Sequence, residues 1–153
     1  MNFNNISSGI ILENCVNEIY LSNMTIKGHL EFNNHNVVNM DNIIMEGSID
    51  FSSNNTENNY IHFNHVQFYG RREKKGHCIH LYGQVEIENS KFYGHPLCEQ
   101  AIIWYDGENH YDLKIFNSIF DGVYINPCLY VTNGILFIQK STFERAASFG
   151  NEG

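Results

Sequence analysis

In the stretch VEIENSKFYG, Val85 to Gly94, apolar and polar residues alternate, and the phase slips once. Val85 and Ile87 share one face of an extended segment. Beyond Asn89 the inward positions become Ser90 and Phe92, an odd shift. Both segments can face one interior only if the chain bends at Asn89. Asn tolerates the left-handed conformation that a one-residue bend needs, and its amide can bond to an Asn stacked above it. Gly94 then offers a corner where a Cβ would be unwelcome.

The same spacing recurs along the chain. Gly28, Gly47, Gly70 and Gly122 repeat the role of Gly94, and Arg145 takes it in a last copy. Upstream of these corners stand three apolar columns: Ile19, Val38, Ile61, Val85, Leu113 and Leu136; Leu21, Met40, Phe63, Ile87, Ile115 and Ile138; and Ile26, Met45, Phe68, Phe92, Phe120 and Phe143. The bend column reads Asn23, Asn42, His65, Asn89, Asn117 and Lys140. His65 is read there as a structural variant. From Gly28 the corners advance by 19, 23, 24, 28 and 23 residues, a period that marks a solenoid.

A third strand follows each corner: Leu30 and Phe32, Ile49 and Phe51, Ile79 and Leu81, then Ile102 and Trp104. Three short strands per turn predict an all-β, right-handed parallel β-helix of about six coils. Phe68, Phe92, Phe120 and Phe143 should stack inside it at about 4.8 Å. A leucine-rich repeat would need its Leu-x-x-Leu-x-Leu frame, a propeller blades of about 40 residues, and a left-handed β-helix a strict hexapeptide period; the chain has none of these.

VEIENSKFYG, LKIFNSIFDG and IYLSNMTIKG resemble the right-handed parallel β-helix (pectin lyase-like) superfamily over nearly the whole chain. That group includes pectate lyases and polygalacturonases, and also phage tailspikes and adhesins. For an enzyme, the resemblance implies a cleft along one strand face with charged residues pointing outward.

The chain has 153 residues, enough for one domain with a real core, and a net charge of −8. Its one basic run, Arg71 to Lys75, reads as a solvated loop, so nucleic acid is not an expected partner. No run of about 18 apolar residues predicts a membrane span, and the first residues lack the basic and apolar regions of a secretory signal. Cys15, Cys78, Cys98 and Cys128 form no CxxC pair. Buried free thiols are the expectation, and neither zinc nor a cofactor is expected. Sequons begin at Asn5, Asn23 and Asn54. In a chain so rich in Asn such triplets arise by chance and say little about secretion.

Met1, Phe3 and Asn5 copy the spacing of Val85, Ile87 and Asn89, and RAASFGNEG starts what could be another strand. The expectation is a segment of a longer solenoid, or ends covered by neighbouring β-helix segments or protein subunits. Cell surface, extracellular space or virion is the favoured setting.

Outward positions after the corner are Ile11, Glu31, Asp50, His80 and Ile103. Glu31 and Asp50 should stand side by side with His80 next. Such carboxylates raise one another's pKa, and at roughly 5 Å they would suit a retaining glycosidase. Strand positions facing water are polar in any case, and the signatures NTD, DD, GHG and RIK are absent. The histidines are scattered, apart from His77 and His80 flanking Cys78, and no metal site is expected. Tyr69 and Tyr93 share a column before the corner and should stack outward, a platform for a sugar ring or a protein. Two functions remain. One is a non-catalytic structural or adhesive β-helix module of a larger surface protein, virion component or assembly. The other is a carbohydrate-active enzyme, or its fragment, working at Glu31, Asp50 and His80. Flat Thr rows for ice binding are absent.

Overall fold

A computed structural model describes residues 10–13, 18–33, 37–51, 59–72, 74–108 and 110–147. The expected half-coil Met1–Phe3–Asn5 lies outside them, as do Cys15 and the last six residues. The described residues form thirteen strands in one continuous sheet: β1 (Ile10–Glu13), β2 (Glu18–Asn33), β3 (Val37–Phe51), β4 (Tyr60–Gly70), β5 (Ile79–Tyr82), β6 (Gln84–Glu88), β7 (Lys91–Tyr93), β8 (Ile103–Asp106), β9 (Asp112–Phe116), β10 (Ile119–Asp121), β11 (Leu129–Asn133), β12 (Ile135–Gln139) and β13 (Thr142–Glu144). Every pairing is parallel. The result is a right-handed parallel β-helix of about five turns, the hand that twisted strands favour in parallel crossovers. The six copies of the motif are the levels that bound those five turns.

Three faces enclose the core. The first carries the opening parts of β2, β3 and β4, then β6, β9 and β12. The second carries the next parts of β2, β3 and β4, then β7, β10 and β13. The third carries β1, the ends of β2 and β3, then β5, β8 and β11. Register follows the motif, with Val38, Ile61, Val85, Leu113 and Leu136 in one row and Met45, Phe68, Phe92, Phe120 and Phe143 in another. Phe92, Phe120 and Phe143 stack with ring centroids 4.8 Å apart, and Phe68 tilts against Phe92 at 6.2 Å. From first inward residue to corner, each coil spends the same nine residues. All differences in coil length fall between a corner and the next first strand.

The bends take the expected shape. Asn23, Asn42, His65, Asn89, Asn117 and Lys140 all have φ between 47° and 53°. The Asn42 amide donates to Asn23 Oδ1 at 2.7 Å, but His65 interrupts the ladder, and Asn89 donates instead to Asn64 at 3.0 Å. One residue past the bend, serines do what the Asn ladder does not. The hydroxyls of Ser90, Ser118 and Ser141 accept from the backbone N–H of Val66, Ser90 and Ser118 at 3.0–3.1 Å. Each hydroxyl in turn donates to the carbonyl two residues back. Donors that the bend removes from the ladder are thereby satisfied. At the corner, a Cβ on Gly47 would lie 1.7 Å from the Gly28 carbonyl oxygen, and one on Gly94 would lie 2.3 Å from Asn126 Oδ1.

Two expectations are corrected. On the third face β8 places Ile103 and Tyr105 inward, in the rows of Ile79 and Leu81, and turns Trp104 outward. Ile103 is therefore a core residue and Trp104 takes the outward position after His80. The cysteines are not all free thiols. Cys78 and Cys98 form a buried disulfide that links the segment following the Gly70 corner to the one following the Gly94 corner, while Cys128 is free and buried. Gly76 and Cys98 pair as an isolated bridge, so backbone and disulfide tie the two loops together. Asn126 adds a third loop, accepting from the His95 N–H at 2.7 Å and donating to the Cys98 carbonyl at 3.2 Å.

Candidate functional site

The third face presents the row Ile11, Glu31, Asp50, His80, Trp104 and Tyr130. Parallel pairing places Glu31 beside Asp50. The histidine between them is His29, next to the corner glycine of its own coil. Its Nε2 lies 3.7 Å from Glu31 Oε2 and 3.7 Å from Asp50 Oδ2. Those distances are long for hydrogen bonds, so the contacts are electrostatic. On the ring's other side, His29 Nδ1 and the hydroxyl of buried Ser48 are 2.8 Å apart. With the hydroxyl donating, Nε2 carries the proton and faces both carboxylates. Asn33 donates to Glu31 Oε1 at 2.9 Å and fixes that carboxylate further. Burial pushes the Asp50 carboxyl above its ordinary range, opposed by His29, Arg72 and His77, while Glu31 raises it further. The group could hold and pass a proton.

His80 follows Asp50 in the row but belongs to a different cluster. Its ring packs against Trp104 at 3.8 Å, Tyr82 at 4.3 Å and His77 at 4.8 Å. His77 stacks on Trp104 at 4.6 Å. Burial, reinforced by His77, pushes the His80 imidazole down to about 3, so it is neutral near pH 7. Among the described residues, the buried His77 Nδ1, His80 Nε2 and Trp104 Nε1 atoms have no hydrogen-bond partner. Among the described residues no set of three or more His, Cys, Asp or Glu is arranged to hold a metal ion.

The second face carries Tyr69 and Tyr93, stacked at 4.9 Å with ring planes 4° apart. Tyr93 covers one side of the Tyr69 ring. The row steps down from Tyr69 to Glu46 in the preceding coil. A groove of about 610 Å³ opens there, lined by Thr25, Lys27, Ile44, Glu46, Tyr69, Gly70, Arg71 and His95. Glu46 pairs with both Arg71 and Lys27, and those contacts hold its carboxyl below the usual range. The groove thus combines an aromatic wall, an exposed Ile44 floor and two cations sharing one anion.

Periodicity placed Glu31, Asp50, His80, Tyr69 and Tyr93 in their rows. It did not connect His29 and Ser48 to the carboxylates. Their signal was available: both stand two residues before an outward acid in adjacent coils, so one row carries both. No family model, no curated protein and no solved structure matches this chain.

Proposed function

We propose that this chain is a non-catalytic structural or adhesive β-helix module of a larger surface protein, virion component or assembly. One observation carries the reading. Leu136, Ile138 and Phe143, in inward rows that are fully buried at the preceding level, are 40%, 45% and 37% exposed. The pairings of β11, β12 and β13 are to the coil below. Apolar cross-section and strand edge together fit a neighbouring β-helix segment or subunit. The resemblance to the pectin lyase-like superfamily agrees, because that group includes tailspikes and adhesins. The Tyr69–Tyr93 stack and its groove supply an adhesive surface for polysaccharide or a protein partner. Light scattering across a concentration series tests the reading. Wild type should associate, and Ile138→Lys, charged at the end surface, should be monomeric. A wild-type monomer at every concentration would overturn it.

A second reading, a carbohydrate-active enzyme or its fragment, is favoured by the Glu31–Asp50 pair with His29 between its members. A glycan panel decides it. Turnover by wild type that is lost in both Glu31→Ala and Asp50→Ala supports the enzyme, and turnover undiminished in both removes these residues from any mechanism.

A further inference from the structure

Asn23, Met24 and Thr25 form the one N-x-S/T triplet lying wholly within the described residues. Four bends carry asparagine. The residue two positions on, which faces outward, is Thr25 after Asn23 but Ile44, Lys91 and Ile119 after Asn42, Asn89 and Asn117. Asn23 sits at the bend apex with φ 53° and is exposed, as is Thr25, while Met24 between them packs against the core. Asn23 Oδ1 accepts from the Asn42 amide, so the oxygen is held in the ladder while the side chain stays exposed.

The Cys78–Cys98 bond is the second, independent observation. Buried disulfides of this kind form and persist in oxidising compartments, where exported chains also meet glycosyl donors. We propose that Asn23 is an acceptor for an asparagine-linked glycan. The donor class is a lipid-pyrophosphate-linked oligosaccharide. Nδ2 attacks the anomeric carbon of the first sugar and a C–N bond forms. The bond from that carbon to the pyrophosphate oxygen breaks, and the lipid pyrophosphate leaves with its electron pair. The amide proton passes to a base of the transferase, and nothing is oxidised or reduced. Transfer to the extended nascent chain, read through the Thr25 hydroxyl, precedes folding. The finished coil then holds the sugar in solvent.

The full chain exported through a eukaryotic secretory pathway provides the test, read by peptide mass and free-thiol titration. The wild-type peptide containing Asn23 should carry hexosamine. Endoglycosidase treatment in heavy-oxygen water should leave labelled aspartate at that position. Thr25→Ala should abolish the sugar with Asn23 still present, and Thr25→Ser should keep it. Cys78 and Cys98 should be unreactive without reductant. A disulfide-bonded product with bare Asn23, a product with Cys78 and Cys98 reduced, or a sugar that persists in Thr25→Ala would each overturn the proposal.

Discussion

Phe92 and Phe143 occupy one row, share one sequence motif and stack in one aromatic column, yet the first is 0% exposed and the second 37%. The difference is the number of neighbouring coils. Phe92 lies between Phe68 and Phe120, whereas Phe143 has Phe120 below it. Each coil of a solenoid completes the core of the coil beneath it, so a motif fixes direction but not burial. The interior and the last coil are therefore one design with different stabilities.

The largest expected effect lies in the interior. Phe92→Ala should cost about 3–5 kcal/mol, because coils clamped on both sides cannot close the cavity; chemical denaturation measures it. Next comes the disulfide, which closes a separation of 20 residues between two inner coils. Loss of that cross-link in Cys78→Ser/Cys98→Ser should cost about 3 kcal/mol in the chain-entropy account. A melt unchanged by the double substitution would show that the loops are held by Asn126 and the bridge at Gly76 instead. Measured in the monomeric Ile138→Lys background, Phe143→Ala should cost less, about 1–2 kcal/mol, in proportion to its partial burial. Equal costs for Phe92 and Phe143 would break the comparison and imply that the last coil is covered in solution.

Near neutral pH the smallest effect is that of His80, which shows only in acid. His80 is neutral in the fold and its imidazole titrates at about 3, against an ordinary value of 6.5. The unfolded chain therefore binds the proton first as pH falls through the range from 6.5 to about 3, and stability drops over that window. Above pH 6.5 this contribution disappears. His80→Phe should flatten that acid limb, and a limb of unchanged slope would assign it to other groups.

Much of the fold was legible because the frame from first strand to corner has constant length and its bends demand residues that accept positive φ. Legibility failed where the frame does. Ala101, Ile102 and Ile103 are all buried, so alternation cannot choose a phase for β8, and the expected inward pair Ile102 and Trp104 lies one residue away from the observed pair Ile103 and Tyr105. Cys78 takes the place that Ser48 holds one coil back, Cys98 lies in the irregular segment after Gly94, and spacing along the chain carries no information on their approach. The row of Glu31, Asp50 and His80 was readable from period alone. Its division was not: His29 joins the acids while Trp104 draws His80 away, and that depends on side-chain shape across coils.

The constant stretch from first strand to corner also has a genetic consequence. Because coil lengths differ only between a corner and the next first strand, that interval can absorb an insertion or deletion without shifting any row. A misaligned crossover between two such intervals would add or remove a whole coil in frame. Such a gene can lengthen its product level by level, and each new level must satisfy only the one beneath it. Descendants could then differ widely in length and loop sequence while keeping the same interior.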